Sequence, residues 1–269
     1  MRKIRVGTFV VLLVCMVFPA ISSVVSICSD SAEWPPYTFY PRNNGKIDKS
    51  MLTGATYDAI ELIFKQAGMS MKMKMIPWKR CLQEVKNYTE KGNFEIFIDG
   101  SSNKKRMSQY IRTNPFYQMN QGLFYSTKKY PSGPDIKKVT DLNNFKVCGV
   151  AGYSYEQYQK KGLTVNIDTG TKSSEALLKK LSAGRCDIFL SSIEPIIWGG
   201  LIGQFTLTAD IKYSLLDEIS KTKFYAWISK GSPRANQLVD TINKGLKTLK
   251  ENGELETIFK TYLPTGTGF

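Results

Sequence analysis

The residues best suited to chemistry form a polar segment, residues 99–106, directly after an apolar run at residues 94–98. The run predicts a buried strand, and the polar segment places hydroxyls, backbone N–H groups and the guanidinium of Arg106 at its carboxyl end. Open α/β sheets bind ligands at that end of their strands. Because a guanidinium can form a bidentate pair with a carboxylate, the segment predicts a site for a small anion. A surface turn carrying a solvated arginine is the alternative.

The segments around this site alternate between strand and helix patterns, in two units separated by the Pro- and Gly-rich residues 131–134. The predicted strands lie at residues 24–28, 71–75, 94–98, 145–151, 163–167, 186–190 and 224–229. The predicted helices lie at residues 56–67, 78–85, 155–161, 173–181, 233–250 and 254–262. Two βαβαβ units predict an α/β fold of two doubly wound parallel-sheet lobes.

The N-terminal residues 1–23 have the composition of a cleaved signal peptide. Positive charges at Arg2, Lys3 and Arg5 precede an apolar run at residues 9–18, which is too short to span a bilayer, and small residues follow near position 22. Cys15 lies inside the apolar run and does not follow a small residue, so the pattern does not indicate a lipoprotein. The sequence predicts export to the periplasm and a mature N-terminus between Ser23 and Ile27.

The composition argues against several classes of protein. Removing Arg2, Lys3 and Arg5 lowers the formal net charge from +14 to +11, but lysines occur in runs no longer than two. This scatter does not produce the basic stripe that nucleic-acid binding requires. The chain contains no histidine, which removes the commonest general base and metal ligand. We therefore expect neither a nucleic-acid partner nor a cofactor or metal.

Six short motifs resemble, in their order along the chain, the extracytoplasmic solute-binding proteins of the amino-acid-binding type, family 3. They are Glu33-Trp34-Pro35-Pro36-Tyr37, Thr53-Gly54, Pro77-Trp78-Lys79-Arg80, Gly100 to Arg106 with Pro115-Phe116-Tyr117, Cys148-Gly149-Val150, and Gly184-Arg185-Cys186-Asp187. The resemblance runs from about Val24 to Leu263. No single motif is diagnostic, but their collinear order is specific.

The resemblance implies a type II periplasmic binding fold, in which two lobes joined by two hinge strands close on a small ligand. One lobe is expected at residues 24–127 and 224–269 and the other at 128–223, with crossings near residues 124–129 and 221–226. A monomer that delivers an amino acid or related carboxylate to the permease of an ABC importer is the implied function. Two alternatives on the same fold are a sensor module and a cyclohexadienyl-dehydratase-like enzyme, whose acid or base would come from Glu33, Asp99 or Glu194.

The resemblance also implies which residues contact the ligand. Arg106 matches the arginine that binds the carboxylate, with Asn103, Ser101 and Gly100 in the loop before it. The remaining matches are the aromatic wall of the first lobe and the helix entrance of the second, at Trp34, Tyr37, Tyr153 and Ser154. For Trp78 and Arg80, core packing and a surface ion pair are at least as favoured as ligand contact, and neither is included in the predicted site.

One departure bears on the ligand. Amino-acid binders of this kind usually carry an acidic residue five positions after the Asp of Gly-Arg-X-Asp, and counting from Asp187 gives Ser192 in this chain. Glu194 could pair with an ammonium group in its place if the loop bulges. A solvated glutamate at the start of a helix is the alternative, because a negative charge is favoured there.

Four cysteines remain after the predicted cleavage, which is an even number in an oxidising compartment. Cys148 and Cys186 fall on the first and third strands of the second unit, which are neighbours in a 2-1-3 strand order. Cys28 and Cys81 form the remaining pair. Two disulfides are therefore predicted, and four buried thiols are the alternative.

Overall fold

The computed structural model describes residues 24–263, so the predicted signal peptide at residues 1–23 lies outside the described residues. The strands are β1 Val24–Asp30, β2 Arg42–Asn43, β3 Lys46–Ile47, β4 Ser70–Ile76, β5 Ile96–Ser101, β6 Tyr110–Met119, β7 Gln121–Ser126, β8 Val147–Val150, β9 Asp168–Thr171, β10 Ile188–Ser192, β11 Ile211–Leu215 and β12 Thr222–Ser229. The helices are α1 Ala55–Gln66, α2 Trp78–Lys86, α3 Tyr88–Lys91, α4 Lys104–Gln109, α5 Glu156–Lys160, α6 Ser174–Ser182, α7 Ile193–Leu201, α8 Ala235–Glu251 and α9 Glu254–Tyr262. Among residues 24–263, no helix is long and apolar enough to cross a membrane.

The first sheet has the strand order β4-β1-β5-β12-β6. Strands β4, β1 and β5 are parallel and follow the expected 2-1-3 order, whereas β12 is antiparallel to β5 and β6 is antiparallel to β12. Ile27 and Ile96 on one face belong to a core with Ile60 of α1 and Ile242 of α8. On the other face, β1 and β5 pack against α2. The lysines of β4 lie at the sheet edge, where charge discourages pairing with another chain.

The second sheet has the order β11-β7-β10-β8-β9 and repeats this design. Strands β10, β8 and β9 are parallel, and β7 and β11 are antiparallel to their neighbours. Successive residues of β10 serve opposite faces, since Phe189 packs with Leu177 of α6 and Ile188 packs with Tyr158 of α5. The fold is thus mixed α/β with two sheets that each contain three parallel strands.

The chain passes between the sheets at positions that differ from one expectation. It leaves the first sheet after Met119 and joins the second at Gln121, then returns between Leu215 and Thr222. Strand β7 therefore lies in the second sheet, although the expected boundary placed residues 121–126 in the first lobe. Its apolar pattern suits either sheet, and only its long-range pairing with β10 and β11 decides between them.

Both predicted disulfides are present. Cys28 bonds to Cys81 with a Cα–Cα distance of 5.8 Å, which ties β1 to α2. Cys148 bonds to Cys186 with a Cα–Cα distance of 6.2 Å, which ties β8 to the residue just before β10. All four cysteines are buried, so the bridges lie within the two cores.

Candidate functional site

The carboxyl ends of parallel strands from both sheets face each other across a cleft. Asp30 ends β1, Ser101 ends β5 and Ser192 ends β10, and all three line one cavity between the sheets. The closed cleft has a volume of about 50 Å³, which is room for a few waters or a small ligand group. This is where open α/β sheets place their ligands.

Arg106 lies in this cleft with its guanidinium nearly sealed from solvent. Its Nη1 donates to the carbonyl oxygen of Ser101 at 2.7 Å and to the Ser101 hydroxyl at 3.1 Å, and its Nη2 donates to the carbonyl oxygen of Gly152 at 3.1 Å. Burial lowers the pKa of Arg106 to about 10. Among residues 24–263 it forms no ion pair. A buried cation without a carboxylate partner favours an anionic ligand.

Two buried carboxyl groups share the cavity with this arginine. Burial raises the pKa of Asp30 to about 6, and the backbone N–H of Ala32, which donates to its Oδ1 at 3.0 Å, partly opposes that rise. Burial likewise raises the pKa of Asp99 to about 6, against hydrogen bonds from Thr38 and Tyr117 of 2.7 and 2.9 Å. Both groups are ionised at neutral pH but destabilised by their surroundings.

Aromatic side chains form the walls of the cleft. The indole of Trp34 meets the Tyr153 ring edge to face, with centroids 5.5 Å apart. The guanidinium of Arg106 lies 5.3 Å from the ring centroid of Trp78, within the range of a cation–π interaction. Trp34, Trp78 and Tyr153 all line the cavity. They surround the charged groups with low-dielectric material, which strengthens any ion pair formed inside.

The second sheet contributes neutral hydrogen-bonding groups. Ser154 lines the cavity, as do Ser191 and Ser192 at the end of β10. The hydroxyl of Ser192 accepts a hydrogen bond of 2.7 Å from the side chain of Gln121, which also lines the cavity. These groups can donate to or accept from a ligand, but they carry no charge.

Four residues of the predicted site do not line the cavity: Tyr37, Gly100, Asn103 and Glu194. Tyr37 is buried in the core, where its ring stacks on that of Tyr117 with the centroids 3.8 Å apart. Gly100 is packed against Trp227, whose indole N–H donates to its carbonyl oxygen at 2.8 Å. The side chain of Asn103 accepts from the backbone N–H of Arg106 at 2.7 Å and so caps α4.

Glu194 lies at the passage between the sheets. Its Oε1 accepts from the backbone N–H of Asn120 at 3.2 Å, at the first turn of α7. Burial raises the pKa of this carboxyl, while its position at the helix start and the charge of Lys221 oppose the rise. It does not line the cavity. Its Oε2 is buried without a hydrogen-bond donor among residues 24–263, but its position outside the cavity argues against Glu194 as the partner of an ammonium group.

Asp30 and Trp78 line the cavity although neither is in the predicted site. Asp99, which was predicted only as a candidate acid or base of the enzyme alternative, lines it as well. Each follows the signal that identified Arg106, a position at the carboxyl end of a strand, since Asp30 ends β1 and Trp78 comes two residues after β4. Arg80 instead forms a surface ion pair with Glu84, N–O 3.4 Å. The strand-end rule, applied to every strand, would have selected Asp30 and Trp78.

The two sides of the cleft are in direct contact. The indole N–H of Trp78 donates to the carbonyl oxygen of Gly152 at 3.1 Å, which also accepts from Arg106. Gln204 donates to the carbonyl oxygen of Ala32 at 2.5 Å, and Gln157 donates to Thr222 at 3.0 Å. These hydrogen bonds join the two sides of the cleft.

One comparison with known proteins identifies a family. The model of the bacterial extracellular solute-binding proteins, family 3, matches residues 26–265. No curated protein sequence matches the chain.

Similar solved structures share the fold at low sequence identity. The substrate-binding protein of an amino acid ABC transporter is 20% identical with a TM-score of 0.70, covering 90% of this chain and 99% of that one. A histidine kinase sensor domain similar to periplasmic binding proteins is 19% identical with a TM-score of 0.72, covering 90% and 96%. A substrate-binding protein of an ABC uptake transporter from Streptococcus pneumoniae, with bound histidine, is 16% identical with a TM-score of 0.71, covering 91% and 94%.

Proposed function

The chain belongs to the bacterial extracellular solute-binding proteins of family 3, and on that basis we propose that it binds an amino acid or related carboxylate in the periplasm and delivers it to an ABC importer. The two sheets with their helices are the lobes of the clamp, and the two passages of chain between them are its hinge. The protein works as a monomer, because both lobes must be free to move.

The buried guanidinium of Arg106 carries this proposal. It lies in the cleft, it has hydrogen-bond partners only in neutral oxygens, and it has no ion pair among the described residues. A carboxylate that binds there gains a charge-assisted pair in a site from which water is excluded. Ser101 and Ser154 lie beside it to complete the anion site.

The test begins with a thermal-shift screen of the twenty L-amino acids and the deaminated carboxylic acids of the same carbon skeletons, since bound ligand raises the unfolding temperature. Calorimetry then compares wild type with Arg106→Ala for each hit. We expect a loss of about 2 to 5 kcal/mol in binding free energy, because the ligand's anion is left buried and unpaired. Arg106→Lys should restore part of the affinity by keeping the charge but not the bidentate geometry.

The matched control is Arg112→Ala. Arg112 is also on the first-sheet side, donates to Ser102 at 3.0 Å and lies over the Tyr225 ring, but it does not line the cavity. Its removal should leave affinity within twofold of wild type. An Arg106→Ala protein that binds within threefold of wild type would contradict the proposal, and so would a screen in which no carboxylate stabilises the protein.

Delivery to an importer is tested in cells. Deleting the gene for this protein should abolish high-affinity uptake of the radiolabelled ligand found in the screen, and expression of wild type should restore it. Expression of Arg106→Ala should not restore it. Uptake that is unchanged by the deletion would leave a binding protein without a transport role, as in the sensor alternative.

One observation favours an enzyme as the second candidate. Asp30 and Asp99 titrate near pH 6 in the cleft, and a carboxyl group with such a pKa is suited to general acid–base catalysis. A dehydratase of the cyclohexadienyl type would convert prephenate to an aromatic product that absorbs in the ultraviolet. Turnover by wild type that is lost in Asp99→Asn would establish the enzyme, and the absence of turnover at millimolar prephenate would exclude this substrate.

A further inference from the structure

The cleft contains negative charge that the binding of a carboxylate leaves unused. Strands β1 and β5 are parallel neighbours, with Ile27 beside Ile96 and Cys28 beside Phe97. Asp30 ends β1 and Asp99 lies near the end of β5, and both residues line the cavity. The first sheet therefore contributes two carboxyl groups to the cleft.

Asp30 has an acceptor with no partner. The residue is 6% exposed, and its Oδ2 is buried with no hydrogen-bond donor among the described residues. The backbone N–H of Trp78 partly opposes the rise that burial causes in the pKa of Asp30. Buried polar atoms in folded proteins are nearly always paired, so an unpartnered carboxylate oxygen on a residue that lines the cavity indicates a missing donor.

The carboxylate of Asp99 is held in place by two hydrogen bonds but can accept more. Thr38 donates to one of its oxygens and Tyr117 to the other, and each carboxylate oxygen has a further lone pair. Within residues 24–263 neither Asp99 nor Asp30 forms an ion pair, although Arg106 lines the same cavity. Opposite charges are thus held in one cavity without touching.

We propose that Asp30 and Asp99 form a cation-binding subsite that pairs with the ammonium group of the ligand, while Arg106 binds its carboxylate. This inference rests on the proposed function and specifies the ligand as a zwitterionic amino acid. The position on the second-lobe side where an acidic residue is expected is occupied by Ser192 in this chain. The hydrogen-bonding groups that the second sheet contributes to the described lining of the cleft, such as those of Ser191 and Ser192, are neutral. The ammonium partner comes from the first sheet instead.

The experiment uses three ligands of each carbon skeleton: the L-amino acid, its deaminated carboxylic acid and its decarboxylated amine. Calorimetry measures each against wild type, Asp30→Asn, Asp99→Asn and the control Asp135→Asn, whose carboxylate is 87% exposed on the surface. Wild type should bind the best amino acid at least tenfold more tightly than the matched carboxylic acid. Each cleft variant should remove most of that preference while binding the carboxylic acid within threefold of wild type, and Asp135→Asn should match wild type throughout.

Retained binding of the carboxylic acid shows that a variant is folded, so a lost preference reports the ammonium contact itself. If the carboxylic acid binds wild type as tightly as the amino acid, or if both cleft variants keep the preference, the cation subsite is wrong and the carboxylate function stands. If amines alone bind and lose affinity in the cleft variants, the subsite stands and the carboxylate function is wrong. If no member of the series binds wild type at 10 mM, both proposals are overturned.

Discussion

At the scale of single residues, the cleft concentrates groups that folding alone would disfavour. Among the residues that the structure describes, buried Arg106 has no ion-pair partner and Asp30 has a buried oxygen without a donor. Burial lowers the pKa of Arg106 and raises the pKa of Asp30, so it favours the neutral form of each group. Groups of this kind destabilise the protein without ligand and are retained at sites where a partner is supplied on binding.

The first prediction concerns Asp30→Asn. The pKa of Asp30 in the folded protein, about 6, lies above its ordinary value of 3.8. The stability that this group contributes is therefore complete below pH 3.8 and is lost as pH rises through 6. At pH 7.5 the variant without ligand should be more stable than wild type by up to about 3 kcal/mol, because it removes a buried charge. At pH 4 the two should be nearly equal.

Urea denaturation at the two pH values measures this difference. Asp135→Asn serves as the control, and its unfolding free energy should follow wild type at both. An Asp30→Asn protein that is equally or less stable than wild type at pH 7.5 would show that the buried carboxylate has a partner after all.

At the scale of elements, the hydrophobic periodicity of the sequence predicted the strands and helices whose formation depends mainly on nearby residues. The parallel strands β1, β4, β5, β8 and β10 and the long helices α1, α8 and α9 fall where periodicity places them, give or take a few residues. Strands β6, β7 and β11 were not predicted, since their edges and partners depend on antiparallel pairing with distant segments. The strand expected at residues 163–167 begins instead at Asp168, where pairing with β8 becomes available.

The candidate site likewise contains residues whose position could be predicted from the sequence and residues whose position could not. Arg106, Ser101, Trp34, Tyr153, Ser154 and Ser192 line the cavity, and their contact with a ligand stays a prediction. Tyr37 and Asn103 do not line it, because what they contact is decided by packing against Tyr117 and by the cap of α4, and neither can be read from residue type.

The second prediction concerns the bridge between β8 and β10. Removing it in the double variant Cys148→Ala/Cys186→Ala opens a loop of 38 positions and should lower the unfolding free energy by roughly 3 to 4 kcal/mol, since the unfolded chain gains entropy. Urea denaturation of the oxidised proteins measures the loss. Thiol titration of denatured, unreduced mature wild type should detect no free sulfhydryl, and four would rule out both bridges.

At the scale of the whole molecule, one hydrogen bond between the two sides of the cleft lies outside the cavity. Gln204 donates to the carbonyl oxygen of Ala32, and it does not line the cavity. In the clamp proposed above, such a contact would stabilise the closed form relative to the open one by about 1 kcal/mol. It would therefore determine how much of the ligand's binding free energy is needed for closure.

The third prediction follows for Gln204→Ala. Affinity for the ligand should fall by about fivefold, and the ratio of affinities between ligands should not change, because closure is altered while the site is not. Small-angle scattering of the ligand-free variant should give a larger radius of gyration than wild type. Gln66→Ala, which removes only an exposed contact to Glu254, is the control. A changed preference between ligands would instead place Gln204 in the site.

The position of β12 in the first sheet governs how the chain can fold. This strand, residues 222–229, lies between β5 and β6, so two strands from the first half of the chain meet only through one from its last quarter. Until that strand has joined the sheet, β5 and β6 expose unpaired edges of the kind that aggregate. Pairings this distant in sequence also form slowly. Newly made molecules consequently pass through a vulnerable interval before their sheet is complete, and on the proposed export route periplasmic chaperones should associate with them during that interval.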